Sequence, residues 1–201
     1  MKKIILTVAA VFALTFANAQ DKKESSEGFA KGDLFLTGSF GFSTDKTGDS
    51  KSDGFNIKPG IGYFLTENLA LVGQVRFEST KDDDGSGTPT STFKTTSVGI
   101  AAGVNYYWTP ASKFSLSLGG MLSYDSIKSD NGVADSTAKE IGVSVPLGLQ
   151  YFVSDSFALT TTWGGLNYST NDNGGNGADK TDKISLGLDL SSVSFGLLYK
   201  L

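Results

Sequence analysis

The sequence predicts an all-β protein, an eight-stranded antiparallel up-and-down transmembrane β-barrel. Three observations support this fold class. Apolar and polar residues alternate in eight segments, the connections between segments are alternately short and long, and aromatic residues collect at both ends of the segments. Alternation with a period of two is typical of strands whose two faces meet different surroundings.

The first 19 residues predict a cleaved secretory signal peptide. Lys2 and Lys3 precede an apolar stretch, 4–16, and Ala17 and Ala19 form a small-x-small cleavage site. The stretch is too short for a helix that must cross about 30 Å of hydrocarbon, which disfavours the alternative of an uncleaved anchor. Residues 20–33 follow as a polar N-terminal segment, and residues 34–201 form the barrel.

The alternating segments predict the strands in chain order. In the sixth segment, for example, Ile141, Val143 and Val145 lie on one face, and small or polar residues lie on the other. No segment shows the 3.6-residue period of a helix. The predicted strands are residues 34–43, 55–64, 69–78, 94–108, 114–124, 140–151, 157–168 and 183–201.

The connections separate two ends of the barrel. Short turns at 65–68, 109–113 and 153–156 define the turn end, and polar loops of eleven to fifteen residues define the loop end. This asymmetry matches the short periplasmic and long extracellular connections of an outer-membrane barrel. We therefore expect both termini in the periplasm and four polar loops outside the cell.

Three positions inside the predicted strands disturb the regular pattern. Pro59 and Pro146 cannot donate a ladder hydrogen bond, and we expect a β-bulge at each. In the last segment the apolar residues change from even to odd positions, which predicts a bulge at Ser191 and Ser192. A tight turn there is the alternative, and it would make the number of strands odd.

The composition of the polar face and the aromatic residues indicate which face meets lipid. The polar face carries mostly Gly, Ser, Thr and Ala, which suit the narrow interior of an eight-stranded barrel. Aromatic residues at both ends predict two belts at the membrane boundaries. The turn-end belt is Tyr63, Tyr106, Trp108, Phe114, Tyr151, Phe157 and Tyr199. The loop-end belt is Phe42, Phe55, Phe77, Tyr124 and Tyr168. A secreted soluble barrel with its apolar face inside is the alternative.

The alternating pattern over residues 33–201 resembles small outer-membrane β-barrels of the OmpA/OmpX-like kind, the outer membrane protein beta-barrel domain family. The C-terminal sequence VSFGLLYKL resembles the signal by which the barrel-assembly machinery recognises such proteins. The resemblance assigns this signal to Val193, Phe195, Leu197, Tyr199 and Leu201. The chain ends in leucine instead of the usual phenylalanine.

The residue types exclude several kinds of chemistry. The chain has no histidine and no cysteine, so the usual general base near neutral pH and thiolate chemistry are missing. Enzymatic barrels of this size resemble one another in needing a catalytic histidine. We therefore expect no enzymatic activity, no cofactor and no metal site. The net charge of −4 argues against a nucleic-acid partner.

Two groups of charged residues remain as candidate sites. Four charges lie on the polar face, and we expect them to form an interior cluster that closes the lumen, with a selectivity ring in a pore as the alternative. This cluster is Lys58, Arg76, Glu78 and Asp189. In the second long loop, Asp82, Asp84 and Ser86 resemble the start of a calcium loop, but Phe93 occupies the position of the closing glutamate. We interpret this segment as a solvated acidic loop.

The sequence thus predicts a monomeric bacterial outer-membrane protein with a structural or surface-interaction role. Its expected partners are outer-membrane lipid, lipopolysaccharide and, during insertion, the barrel-assembly machinery. A narrow passive channel for small solutes or ions is the alternative, and the secreted ligand-binding barrel is a further one.

Overall fold

The computed structural model describes residues 28–88, 92–175, 177–188 and 194–201. The predicted leader and most of the N-terminal segment lie outside these residues. In the described parts of the chain no helix is long and apolar enough to cross a membrane. The strands are β1 Leu34–Thr47, β2 Ser50–Phe64, β3 Leu69–Asp83, β4 Thr92–Tyr107, β5 Phe114–Asp130, β6 Asp135–Phe152, β7 Phe157–Asn171, β8 Thr181–Leu188 and β9 Ser194–Lys200.

The strands form a closed eight-stranded antiparallel barrel, which confirms the predicted fold class. From β1 to β7 each strand pairs with the next one in the chain. Both β8 and β9 pair with β7, and β9 also pairs with β1. Together, β8 and β9 therefore take the place of a single eighth strand.

The two described parts of the eighth strand, β8 and β9, pair with β7 in different registers. The partners of Leu188 and Ser194 on β7, Gly164 and Thr162, are separated by one residue, whereas five residues, 189–193, separate Leu188 from Ser194. The bulge predicted at Ser191 and Ser192 lies in this interval, outside the described residues. The ladder that closes the barrel, between β1 and β9, comprises four residue pairs.

Strands extend beyond their predicted bounds at the loop end. β1 and β2 continue to a Thr47–Ser50 pair, and β5 and β6 continue to an Asp130–Asp135 pair. The connections that remain are 48–49, 84–91, 131–134 and 172–180, so the prediction of loops of eleven to fifteen residues was wrong. Beyond the membrane both faces of a strand meet water. The alternation therefore disappears although the backbone ladder continues.

The two strand prolines behave differently. The β6–β7 ladder shifts its register between Pro146 and Gly148, which confirms the bulge predicted there. Gly165, opposite Pro146, has a φ of 143°, and a Cβ there would collide with the Val145 carbonyl. The bulge predicted at Pro59 was wrong, because the β2–β3 register is the same on both sides of it. The missing N–H interrupts that ladder without inserting a residue.

Apolar side chains lie on the outside of the barrel. Large exposed examples include Leu71, Ile100 and Leu122, with 50%, 61% and 64% of their surface accessible. Most aromatic residues of the predicted belts are also exposed. Neighbouring rings contact one another, as Tyr106 does Trp108 and Phe157 does Tyr199. This orientation is opposite to that of a soluble barrel.

Candidate functional site

The barrel lumen contains a cavity of about 730 Å³. Most of its lining side chains point inward at alternate positions of the strands, and most of them are small or polar. Gln150 is buried, and its Oε1 has no hydrogen-bond partner among the described residues. Asn105 Oδ1 is also buried and has no hydrogen-bond partner among the described residues. The lumen therefore presents unpaired polar atoms above an apolar floor.

The floor at the turn end is a cluster of buried aromatic and aliphatic residues. Phe29 lies at its centre, although it precedes the first strand. Its ring centroid is 4.5 Å from that of Phe64, 4.9 Å from Phe152, 5.2 Å from Phe35 and 5.7 Å from Tyr107. All five rings are at most 2% exposed. This cluster, the aromatic floor, closes the lumen toward the turn end.

Backbone hydrogen bonds hold the segment that carries Phe29. The Phe29 N–H donates to the Pro110 carbonyl at 2.6 Å, and Lys200 Nζ donates to the Gly28 carbonyl at 2.6 Å. Gly28 has a φ of 93°, and a Cβ there would collide with the backbone of Pro110 and Ala111. The chain therefore needs glycine at position 28 to turn Phe29 into the barrel.

Sequence reasoning missed the aromatic floor. Residues 20–33 look polar as a whole, and Phe29 is the one aromatic side chain among them. A signal did exist at the turn end, where an inward aromatic residue follows an outward belt residue. Examples are Phe64 after Tyr63 and Phe152 after Tyr151, which break the alternation.

The structure describes three of the four residues of the predicted interior charge cluster. Arg76 forms an ion pair with Asp125, a residue that the sequence pattern places in a loop. Lys58 lines the same cavity as Arg76, and Glu78 is exposed. Neither Lys58 nor Glu78 has an ion-pair partner among the described residues, and Asp189 lies outside them. Among the residues that the structure describes, the lumen therefore contains the Arg76–Asp125 ion pair and, apart from it, the cation Lys58.

The acidic segment after β3 folds back on itself. Asp83 Oδ1 accepts the Gly85 N–H at 3.0 Å, and Asp84 Oδ1 accepts the Ser86 N–H at 2.8 Å. Hydrogen bonds from the side chain and backbone of Ser86 lower the pKa of Asp84 below its ordinary value. Among the described residues, no group of three acidic or other ligating side chains could hold a metal ion.

The residues of the predicted assembly signal lie mostly on the outer face of β9. Phe195 and Leu197 are 73% and 49% exposed, and the Tyr199 ring centroid is 5.3 Å from that of Phe157. The Leu201 N–H donates to the Leu34 carbonyl at 2.9 Å, which joins the C-terminus to the first strand. Val193 lies outside the described residues.

Solved structures that are similar to this chain include outer-membrane proteins of low sequence identity. Neisserial surface protein A is 22% identical, with a TM-score of 0.47 over 84% of this chain and 97% of that one. OprG from Pseudomonas aeruginosa is 15% identical, with a TM-score of 0.49 over 88% and 99%. Ail, the attachment invasion locus protein of Yersinia pestis, is 15% identical, with a TM-score of 0.44 over 85% and 99%.

A protein-family model shows the family to which the chain belongs. No curated protein sequence is significantly similar to this chain. The model described as "Outer membrane protein beta-barrel domain" matches residues 6–191. That match covers most of the sequence and agrees with the barrel and its exposed apolar outer face. The chain therefore belongs to the outer membrane protein beta-barrel domain family and is a bacterial outer-membrane protein, surrounded by membrane lipid and lipopolysaccharide.

Proposed function

We propose that the protein is a non-enzymatic barrel with a structural or surface-interaction role, which displays its loop-end hairpins outside the cell. The extension of the strands beyond the loop-end belt carries this proposal. Past Tyr124, the β5–β6 ladder continues for six residue pairs, from Asp125–Glu140 to Asp130–Asp135. At about 3.3 Å per residue, that hairpin extends roughly 20 Å along the strand.

Polar contacts between neighbouring strands support the hairpins as a defined surface. Thr44 Oγ1 donates to Asp53 Oδ1 at 2.9 Å, and Lys128 Nζ lies 2.5 Å from Asp135 Oδ2. The ion pair between Lys128 and Asp135 is largely exposed to water. Exposed ion pairs contribute little stability, but a backbone ladder beneath them keeps the polar side chains in a fixed arrangement. A fixed polar surface suits recognition of another molecule.

Cysteine labelling in intact cells tests the display of the hairpins. The natural chain has no cysteine, so Val133→Cys at the β5–β6 tip and Asp155→Cys at the β6–β7 turn each introduce one thiol. A maleimide that cannot cross the outer membrane should label the first variant in intact cells. It should label the second only after the outer membrane has been broken. Labelling of Asp155→Cys in intact cells, with Val133→Cys protected, would refute the proposed orientation.

A narrow passive channel is the second candidate, and the cavity of about 730 Å³ is the observation that favours it. The aromatic floor around Phe29 favours a closed barrel instead, because the interior of eight strands is barely wider than its side chains. Conductance across a planar bilayer separates the two candidates. We expect no steady current through the natural protein, and a steady current would support the channel.

We also propose that the barrel-assembly machinery recognises the C-terminal strand. Its support is the row of outward side chains at Phe195, Leu197 and Tyr199 next to the C-terminus. The double variant Phe195→Ala/Tyr199→Ala should lower the amount of folded protein in the outer membrane. The matched variant Phe114→Ala/Tyr151→Ala removes two paired belt residues away from β9 and should lower it less. Equal losses would contradict a specific signal.

A further inference from the structure

The four strands that run toward the turn end, β2, β4, β6 and β9, finish with the same six-residue pattern. Each segment has glycine first, an aliphatic residue second, tyrosine fourth and an apolar residue sixth. We call these segments the turn-end repeats. They are GIGYFL at 60–65, GVNYYW at 103–108, GLQYFV at 148–153 and GLLYKL at 196–201. A partial match at 165–170, GLNYST, lies on β7 toward the loop end and has threonine in the sixth position.

Equivalent positions of the turn-end repeats lie in equivalent places in the barrel. The tyrosines of the first three repeats, Tyr63, Tyr106 and Tyr151, are 43–45% exposed on the outer face. The residue after each tyrosine points inward. In the first three repeats this residue belongs to the aromatic floor, and in the fourth it is Lys200, whose Nζ donates to the Gly28 carbonyl. The sequence repeat is therefore also a structural repeat.

Packing explains the inward positions of the repeats but not the tyrosine. A Cβ at Gly60 would lie 2.9 Å from the Gly73 carbonyl oxygen, and one at Gly196 would lie 2.9 Å from the carbonyl oxygen of Gly38. The fifth position closes the turn end of the lumen, as described for the aromatic floor. The tyrosine faces lipid, where the apolar band of a barrel accepts leucine or phenylalanine as well.

The belt at the membrane boundary does not explain the tyrosines either. Strands of both directions cross that boundary, and amphipathic rings are favoured there whichever way the strand runs. Yet every residue that is paired with one of the four tyrosines is leucine or phenylalanine, on a strand that begins at the turn end. These partners are Leu34, Leu36, Leu69, Leu71, Phe114, Leu118, Phe157 and Leu159. The tyrosine therefore follows the direction of the chain.

A pattern that follows chain direction suits recognition of the chain before the barrel forms. In an extended segment the second, fourth and sixth side chains lie on one face, so each repeat presents an aliphatic residue, tyrosine and an apolar residue in a row. A partner with an exposed strand edge can bind such a segment by strand addition. Main-chain hydrogen bonds then provide affinity, and pockets for alternate side chains provide specificity and distinguish the two chain directions.

The fourth repeat coincides with the predicted assembly signal. Leu197, Tyr199 and Leu201 of that signal occupy its second, fourth and sixth positions. We propose that the three internal repeats are further copies of this signal, and that the barrel-assembly machinery binds each of them by strand addition while the chain is unfolded. This inference rests on the proposed recognition of the C-terminal strand and extends it to β2, β4 and β6. Tyr151→Ala damages one internal copy and leaves the others intact, which is consistent with the smaller loss expected for Phe114→Ala/Tyr151→Ala.

An exchange of paired residues tests the internal repeats without changing the composition of the belt. Tyr63 is paired with Leu71, and Tyr106 is paired with Leu118. The exchange variant Tyr63→Leu/Leu71→Tyr/Tyr106→Leu/Leu118→Tyr moves both tyrosines to neighbouring strands at the same depth. The unfolded full-length protein would be diluted into lipid vesicles with and without the purified machinery, and folding would be followed by gel mobility. The ratio of the two rates is the acceleration by the machinery.

We expect the exchange variant to fold without the machinery at the rate of the natural protein. Its acceleration should fall by roughly twofold to tenfold, the range that the loss of aromatic contacts predicts. The two exchanges made separately should each lose part of the acceleration. The control exchange Tyr124→Ile/Ile141→Tyr moves a tyrosine between paired strands at the loop end, outside the repeats, and should keep the full acceleration.

Two results would overturn the internal copies. One is equal acceleration in the exchange variant and the natural protein, and the other is an equal loss in the control exchange. Phe195→Ala/Tyr199→Ala, measured alongside, separates this inference from the C-terminal signal. If that variant loses acceleration and the exchange variant does not, the C-terminal signal stands and the internal copies are refuted. If it keeps the full acceleration, the C-terminal signal itself is refuted.

Discussion

Phe29, which precedes the first strand, stacks on Phe64 at the end of the second strand, with ring centroids 4.5 Å apart. Tyr107 of β4 and Phe152 of β6 contact the same ring. One side chain from outside the barrel wall thus joins residues from widely separated strands. Because the interior of an eight-stranded barrel is barely wider than its side chains, a single ring completes the aromatic floor.

Replacing this ring should destabilise the barrel strongly. Phe29→Ala removes a buried phenylalanine and should lower the free energy of unfolding by about 3–5 kcal/mol. Denaturant titration of the protein in lipid vesicles, followed by gel mobility, measures the loss. Phe93→Ala, at a ring that is 44% exposed at the loop end, is the matched control and should cost less than about 1 kcal/mol. Equal losses would show that Phe29 packs no more tightly than a surface ring.

The sequence predicted the barrel wall because lipid and lumen impose different residues on the two faces of a strand. It did not predict the position of Phe29. The side chain is held by rings from several strands, and no local pattern records such a tertiary contact. The hairpins were missed for a related reason, since Thr44 and Asp53 pair in a ladder whose faces both meet water.

The turn before Phe29 should be intolerant of a side chain. Gly28→Ala places a Cβ against the Pro110 and Ala111 backbone at a φ of 93°, and it should expose the Phe29 amide to hydrogen exchange. Gly87→Ala is the matched control, because Gly87 has a φ of 68° with no atom within 4 Å of the added Cβ. The control carries the strain of a positive φ without the collision. A similar loss of stability in both variants would attribute the effect of Gly28→Ala to strain alone.

Arg76 and Asp125 should depend on each other for stability. Their side chains are 28% and 10% exposed, so a single substitution leaves a largely buried charge without its partner. We expect Arg76→Met to lower the free energy of unfolding by about 2–4 kcal/mol, and Arg76→Met/Asp125→Leu to lower it by much less. A double-mutant cycle measures this coupling. The exposed pair Lys128 and Asp135 is the control, for which we expect no measurable coupling.

Additive losses in the Arg76 and Asp125 cycle would contradict the ion pair. This pair could not be predicted from the sequence, because the alternating pattern ends at Tyr124 and so placed Asp125 in a loop. The ladder in fact continues through an Asp125–Glu140 pair, and it directs Asp125 inward next to Gly99. Arg76 itself was predicted, because a charge inside a strong alternating segment must avoid lipid.

The contact between the β7–β8 connection and β6 should weaken in acid. Asp172 Oδ1 accepts the Lys139 N–H at 2.7 Å and the Gly174 N–H at 3.1 Å, and these hydrogen bonds hold the pKa of Asp172 below its ordinary value of 3.8. A lowered pKa means that the carboxylate stabilises this contact fully above about pH 4 and loses that effect as the pH falls through the folded-state pKa. The amide shifts of Lys139 and Gly174 should therefore titrate below pH 3.8.

Two variants separate the charge of Asp172 from its shape. Asp172→Asn keeps an acceptor oxygen and should remove the titration while the contact persists, because a neutral amide still accepts a hydrogen bond. Asp172→Ala should release both amides at every pH. The amide of Val104, in the barrel wall, serves as the reference and should not titrate in this range. A midpoint above pH 3.8 at Lys139 and Gly174 would mean that the folded state does not favour the charged carboxylate, and the contact would then strengthen in acid.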